Sequence, residues 1–194
     1  MNLKTPDVQA NSWLCVYRLK TIQDALVNTA HLPGVTAEVG VFKGGTSLFI
    51  LQNSNKHHYV LDTFNGMPQT QSIDWHKQGD FSDTSLVHVD QLLSDNNFTN
   101  YSIYKGIFPK QNAEYLSHKI FSVVHIDVDI YESTKECIEF FYPRMTPGGV
   151  IVLDDYTTPS CPGVKPAIDE YMADKPEKPE LSAMHGQAII RMRG

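Results

Sequence analysis

The sequence has few cysteines and no long apolar run, and both shortages exclude classes of protein. Its three cysteines, Cys15, Cys137 and Cys161, form no C-x-x-C pair and show no metal-ligand spacing. Isolated cysteines of this kind are typical of reduced thiols in a reducing compartment. No stretch approaches the roughly 18 apolar residues that cross a bilayer, and residues 1–13 lack the apolar core of a secretory signal. We therefore expect a soluble, cytoplasmic protein.

Basic charge is also scarce. Lys and Arg number 16 against 22 Asp and Glu, and the formal net charge is −6. A nucleic-acid binder carries a basic patch, and recruitment to an anionic membrane needs polybasic clusters. We therefore expect neither nucleic acid nor a membrane among the partners. With 194 residues, 41% of them hydrophobic, the chain is expected to form one folded domain rather than a disordered segment.

Apolar segments alternate between strand-like runs and segments with helical periodicity. The predicted strands cover 35–42, 58–61, 101–104, 121–126, 150–153, 181–183 and 187–192. The predicted helices cover 13–30, 46–52, 84–95, 110–118, 133–142 and 163–172. This alternation predicts an α/β fold in which helices cover both faces of a mostly parallel sheet.

The predicted domain spans residues 1–194, with an N-terminal helical segment at 1–34 ahead of a core at 35–194. Within the core, residues 63–83 contain Gly, Pro, Asp, Gln and Ser and show no periodicity. A loop of this length inside a compact domain is usually functional. We interpret it as a candidate lid.

Ligands of such sheets bind beyond the carboxyl ends of the strands, so the segments that follow strands are the candidates. The first reads E-V-G-V-F-K-G-G-T-S over 38–47. Its glycines allow a sharp turn and a close approach to a ligand, and the helix that follows presents free N–H groups. It is not a triphosphate loop, because Thr46 stands where the phosphate-binding Lys would be. Glu38, inside the strand, needs a buried partner.

Acidic residues follow three further strands. Asp62 ends the second strand, where dinucleotide folds hold ribose hydroxyls. The pairs Asp127–Asp129 and Asp154–Asp155 follow two buried strands. Carboxylates crowded at one rim need a cation or a shared proton, and oxygen ligands select Mg²⁺, Mn²⁺ or Ca²⁺.

Other reactive residues show weaker patterns. His125 lies within a predicted strand, which favours a satisfied interior residue over a catalytic base. His76 has no ligand spacing, which argues against zinc, and Cys161 has no basic neighbour in the sequence, which argues against acyl-enzyme chemistry. His185 is predicted in a terminal turn that faces either the site or solvent.

Four blocks together resemble the macrocin O-methyltransferase family. They are A-E-V-G-V-F-K-G-G-T-S at 37–47, L-D-T-F-N-G-M-P at 61–68, H-I-D-V-D-I-Y-E-S-T at 125–134 and G-G-V-I-V-L-D-D-Y at 148–156. Their order and spacing agree with that family over about 35–172. Its members use S-adenosylmethionine and Mg²⁺ to methylate sugar hydroxyls of natural products.

The resemblance implies a Rossmann-like class I methyltransferase fold with seven strands, the last one reversed. Residues implied to contact the cofactor are Glu38, Gly40, Gly44, Gly45, Thr46, Ser47, Asp62 and Phe64. The implied Mg²⁺ ligands are Asp127, Asp154 and Asp155, and Asp127 is also the implied base. The acceptor would be a small molecule with a sugar-like hydroxyl. Such folds are often homo-oligomers, and Trp13 and Tyr17 are candidates for a subunit contact.

Two other functions compete with this interpretation. A nucleotide-sugar glycosyltransferase would use D-V-D at 127–129 to hold a metal and a diphosphate, but it leaves Asp62 and Asp154–Asp155 unexplained. A non-catalytic methyltransferase-like domain is disfavoured because all the acidic positions are occupied. An NAD dehydrogenase is disfavoured because the third glycine of its fingerprint is misplaced.

Overall fold

Seven strands form one sheet at the centre of the computed structural model, which describes residues 3–182 and 186–194. The strands are β1 (Val35–Val39), β2 (His58–Asp62), β3 (Tyr101–Lys105), β4 (Phe121–Ile126), β5 (Met145–Leu153), β6 (Glu180–Leu181) and β7 (Ala188–Arg191). They lie in the order β3-β2-β1-β4-β5-β7-β6. Neighbours from β3 to β5 are parallel, and β7 is antiparallel to both β5 and β6. The predicted sheet and its reversed last strand are confirmed.

Helices cover both faces of this sheet, as predicted. They are α1 (Pro6–Asn11), α2 (Val16–Asn28), α3 (Gly45–Asn53), α4 (Leu86–Asp95), α5 (Tyr131–Phe141) and α6 (Val164–Met172). The first four pack on one face and the last two on the other, and each face has its own apolar cluster. All six residues of β4 are buried, because the strand is covered from both sides. Among the described residues, no helix is both long and apolar enough to cross a membrane.

Two helix predictions need correction. The segment predicted as a helix at 110–118 contains only a 3₁₀ turn, Ala113–Tyr115. Leu116 is buried there whereas Tyr115 is exposed, so the segment has too little apolar surface to hold a helix against the core. The predicted helix at 13–30 begins at Val16.

A short helix, α1, precedes α2 and was not predicted. The Thr5 hydroxyl accepts a hydrogen bond from the Val8 N–H, and Pro6 occupies the first turn. A Thr-Pro pair at a helix start is a recognised signal, so the sequence did contain this information. The predictions for Ala183 and His185 fall on residues that the structure does not describe.

The loops after β1 and β4 meet at the point where the strand order reverses. The Asp127 N–H donates to the Val39 carbonyl at 2.9 Å. Gly40 has φ +84°, and a Cβ there would lie 1.7 Å from the carbonyl oxygen of Asp127. This junction therefore requires glycine, and it places Gly40 beside Asp127 at the crevice where α/β sheets bind ligands.

We expect Gly40→Ala to destabilise the fold by more than about 3 kcal/mol, since backbone overlap adds to left-handed strain of about 1–2 kcal/mol. Gly79→Ala is the matched control: it has φ +90°, and no atom lies within 4 Å of the place that a Cβ would take, so only the strain applies. Urea unfolding of both variants measures the difference. Equal losses of unfolding free energy would contradict a steric requirement at Gly40.

Candidate active site

A cavity of about 710 Å³ opens at the carboxyl ends of the parallel strands. This volume lies within the roughly 300–1,000 Å³ typical of small-molecule sites. Its wall is built by the loops that follow β1 to β5 and by residues 11–15 between α1 and α2. Part of the candidate lid, 63–83, also contributes to the wall. The cavity is thus where the strand-end rule predicted it.

The eleven predicted site residues divide into two groups. Six line the cavity: Gly40, Thr46, Asp62, Asp127, Asp154 and Asp155. Five are buried behind its wall: Glu38, Gly44, Gly45, Ser47 and Phe64. The first group can touch a ligand in the cavity directly, whereas the second group acts through its neighbours.

Asp62 fixes the β1–α3 loop. Its Oδ2 accepts the N–H groups of Val41 at 2.7 Å and Phe42 at 2.9 Å, and its Oδ1 accepts the Phe64 N–H at 2.7 Å. A carboxylate has about four lone-pair directions, so Asp62 keeps acceptor capacity toward the cavity. It therefore shapes the loop that it was predicted to work with.

A chain of buried polar side chains runs beneath the cavity. Glu38 is 1% exposed, and its carboxylate accepts hydrogen bonds from the Ser47 hydroxyl and from His125 Nδ1, the latter at 3.0 Å. His58 Nε2 lies 3.3 Å from the same Ser47 hydroxyl, and its Nδ1 lies 2.9 Å from Thr36 Oγ1. The partner that the sequence required for Glu38 is therefore present.

The two histidines of this chain are in opposite electrostatic situations. Burial lowers the pKa of His58 to about 3, helped by the charges of His125 and His57. Burial also acts to lower the pKa of His125, but Asp154 and Glu38 outweigh it and raise that pKa to about 10. His125 is thus a buried cation between two carboxylates, and its Nε2 lies 3.8 Å from Asp154 Oδ1.

Four carboxylates crowd the rim beside the cavity, as predicted. Burial and the charge of Asp154 raise the pKa of Asp127 well above its usual range. Burial and the charge of Asp155 raise the pKa of Asp129 to about 8. Burial alone would raise the pKa of Asp155, yet hydrogen bonds from Asp129 and Thr158 and the charge of Arg18 lower it. Proton sharing and a nearby cation both relieve the repulsion.

That cation is Arg18, which the sequence did not indicate. Its guanidinium pairs with Asp154 Oδ2, and its Nη2 donates to Asp155 Oδ1 at 2.9 Å and to Thr158 Oγ1 at 3.0 Å. Gln187 donates to the other oxygen of Asp154. Arg18 and Asp154 are 136 residues apart, so no local pattern could have connected them.

The donor set at this rim fits a hard divalent cation. His125, Asp127 and Asp154 place ligand atoms within 4.8 Å of one another, and so do Asp127, Asp129 and Asp155. Carboxylate oxygens are the ligands that Mg²⁺ and Mn²⁺ prefer. In this structure Arg18 holds one oxygen each of Asp154 and Asp155, so a cation bound to both would compete with the guanidinium.

The loops after four of the strands contain non-glycine residues in the left-handed region. Phe42 follows β1, Phe64 follows β2, Asp129 follows β4 and Asp155 follows β5, with φ values of 51°, 47°, 60° and 56°. Such residues cost about 1–3 kcal/mol each and gather at functional sites. Their positions mark the same rim that the carboxylates and the cavity mark.

Two sequence interpretations are corrected here. His76 Nε2 lies 3.8 Å from Cys161 Sγ, although the sequence showed no ligand spacing for His76 and no basic neighbour for Cys161. The buried Cys161 thiol donates to Asp129 Oδ1 at 3.3 Å. These residues come from three different loops, which the sequence alone could not bring together.

An aromatic group forms the outer wall of the cavity. Trp13 packs edge-on against Phe42 and Phe81, with ring centroids 5.2 and 5.6 Å apart. Trp13 remains 73% exposed. It lies before α2 rather than in it, so the predicted helical position of this residue is wrong.

The strand order, the covering helices and the cavity at the strand ends define a Rossmann-like class I methyltransferase fold. A family model described as macrocin-O-methyltransferase (TylF) matches residues 4–190. The chain therefore belongs to this family of O-methyltransferases, and the resemblance found in the sequence is confirmed.

Characterised relatives share about a quarter of their residues with this chain. One is a demethyldecarbamoylnovobiocin O-methyltransferase of Streptomyces niveus, 26% identical over 186 residues, covering 84% of this chain and 68% of the relative. Another is a mycinamicin III 3''-O-methyltransferase of Micromonospora griseorubida, 27% identical over 191 residues, covering 84% and 70%. The chain thus spans about two thirds of the length of these enzymes.

Solved structures agree on the fold. The O-methyltransferase NovP has a TM-score of 0.83 at 23% identity, over 95% of this chain and 83% of its own. The calicheamicin methyltransferase CalS11 has a TM-score of 0.79 at 19% identity, over 97% and 93%. The backbone architecture is therefore shared well beyond the four sequence blocks.

The buried His58 makes stability depend on pH. Its folded pKa of about 3 lies below the ordinary 6.5, so its contribution is present above pH 6.5 and is lost as the pH falls toward 3. We expect His58→Gln to reduce the slope of unfolding free energy against pH between 6 and 4 by up to about 1.4 kcal/mol per pH unit. The matched control is His31→Gln, at an exposed position. Denaturant unfolding at several pH values measures these slopes, and an unchanged slope for His58→Gln would contradict the assignment.

Proposed function

We propose that this chain is one methyltransferase domain that transfers a methyl group from S-adenosylmethionine to a hydroxyl of a sugar-bearing small molecule. The observation that carries the proposal is the cavity beside Asp127, formed where the loops after β1 and β4 meet. The family, and the sugar-containing acceptors in the names of two relatives, support it. A structural neighbour from Bacillus cereus described in complex with SAH supports the identity of the donor.

The donor would occupy the part of the cavity next to the β1–α3 loop. Gly40 and Thr46 line this part, and the N-terminus of α3 begins at Gly45. Asp62 is proposed to hold ribose hydroxyls with the acceptor capacity that its backbone contacts leave. Glu38 and Ser47 are positioning residues, since their mutual hydrogen bond fixes the start of α3 from beneath.

Asp127 would accept the proton of the acceptor hydroxyl. It lies at the cavity wall, and its raised pKa brings it closer to the neutral range in which a general base works best. As the acceptor oxygen forms its bond to the methyl carbon, the carbon–sulfur bond breaks, its electron pair stays on sulfur, and the proton passes to the Asp127 carboxylate. The products are a methyl ether and a neutral thioether.

Asp127, Asp154 and Asp155 are the residues proposed to hold Mg²⁺, which when bound would lower the pKa of an acceptor hydroxyl and orient it. Arg18 is proposed to leave Asp154 and Asp155 when the cation binds, because both compete for the same oxygens. With Arg18 in place the carboxylates are held together without a metal, which keeps the site in shape. His125 supports Asp154 from below.

The donor class is tested first by thermal shift. A ligand present at 100 times its dissociation constant adds about 2.7 kcal/mol, which is roughly 5–10 °C for a domain of this size. We expect shifts of this order with S-adenosylmethionine and S-adenosylhomocysteine, and none with NAD or UDP-glucose. A shift with UDP-glucose and Mg²⁺ alone would instead support a glycosyltransferase.

The role of Asp127 is tested by Asp127→Asn. We expect methyl transfer to a sugar acceptor to fall by at least about 100-fold, because the base and a metal ligand are lost together. Affinity for S-adenosylhomocysteine should stay within about threefold, because Asp62 and the β1–α3 loop are unchanged. The exposed Asp95→Asn is the control and should keep full activity. Full activity of Asp127→Asn in EDTA would contradict both roles.

A further inference from the structure

Three side chains of different chemistry meet on the cavity wall, on the opposite side of Asp155 from Asp154 in sequence and contributed by three loops. His76 comes from the candidate lid, Asp129 from the loop after β4 and Cys161 from the loop after β5. One ligand atom of each lies within 4.8 Å of the other two. This cluster of imidazole, carboxylate and thiol has no role in the methyl transfer proposed above.

The distances within this cluster match a tetrahedral metal centre. Bonds of about 2.3 Å from zinc to sulfur and about 2.0–2.2 Å to nitrogen or oxygen separate the sulfur from the other ligand atom by about 3.5 Å. Cys161 Sγ lies 3.8 Å from His76 Nε2 and 3.3 Å from Asp129 Oδ1. A cation therefore fits between these atoms with shifts of only a few tenths of an ångström.

The surroundings of His76 also fit a metal ligand. Its other ring nitrogen, Nδ1, lies 3.6 Å from Asp80 Oδ2, and its ring centroid lies 5.2 Å from that of Phe81. Histidines that bind metals usually direct their second ring nitrogen toward a carboxylate, which fixes the ring and increases its basicity. Nε2 is thus the nitrogen left to face Cys161.

The geometry points to a second cation site, formed by His76 Nε2, the Asp129 carboxylate and the Cys161 sulfur, that binds a borderline-soft divalent cation such as Zn²⁺ or Co²⁺. A sulfur and nitrogen donor set distinguishes it from the carboxylates proposed for Mg²⁺, since Mg²⁺ prefers oxygen. The thiol proton that now bridges Cys161 to Asp129 is released when the cation binds. Three protein ligands leave a fourth position open.

Such a cation would fasten the candidate lid to the sheet. Asp74 already anchors this segment, since its buried carboxylate accepts the N–H groups of Tyr131 and Gln71, both at 2.9 Å. A bond from the cation to His76 would add a second anchor next to the cavity. The lid would then be held at two points rather than one.

The test is a titration of the full, EDTA-treated and desalted chain with Co²⁺ under reducing conditions, followed by absorption. We expect a thiolate-to-cobalt charge-transfer band in the near ultraviolet that saturates at one equivalent. It should persist in about 1,000-fold excess Mg²⁺, which competes poorly for sulfur. Zn²⁺ should displace the Co²⁺ and abolish the band.

Matched variants assign the ligands. Cys161→Ser should abolish the band, whereas Cys15→Ser should keep it. His76→Gln, at a partly exposed position that the fold tolerates, should weaken Co²⁺ binding by about 100-fold. Circular dichroism shows whether each variant is folded. Absence of a band in the folded parent chain, a band that survives Cys161→Ser, or unchanged affinity in His76→Gln would overturn the proposal.

Discussion

Repulsion among carboxylates at the ends of β4 and β5 is the constraint on which the rest of the site depends. Asp127, Asp129, Asp154 and Asp155 are brought together by two adjacent parallel strands, and their charges would drive those strand ends apart. The structure answers with a guanidinium from α2, an imidazolium in β4 and a proton held by Asp129. Because these compensations come from different parts of the chain, the N-terminal helices are part of the site.

The same constraint explains the buried polar chain under the cavity. A charged His125 in the interior requires anions on both sides, and Glu38 and Asp154 supply them. Glu38 in turn receives the Ser47 hydroxyl, and this contact fixes the first turn of α3 next to the cavity. The acidic rim and the glycine turn, which look independent in the sequence, are therefore linked through β1 and β4 by hydrogen bonds.

How far the sequence predicts this structure depends on the range of each interaction. The strands were predictable because burial on both faces produces continuous apolar runs such as Phe121–Ile126. The acidic positions at the rim were predictable because parallel strands end at one edge. Arg18, and the meeting of His76 with Cys161, were not, since each contact joins loops or helices far apart in the chain. The helix predicted at 110–118 failed because local periodicity cannot report whether a core is available to pack against.

The contact between Arg18 and Asp154 also bears on the order in which the molecule assembles. Closing a loop of 136 residues costs more chain entropy than closing any hairpin, and Gln187, which donates to the same carboxylate, precedes the final strand β7. Contacts of such high sequence separation form late in folding. On a ribosome, β1 to β5 can pair before either contact is possible. The acidic rim is then completed only when β7 docks against β5, so the reaction centre is among the last parts of the chain to reach its native form.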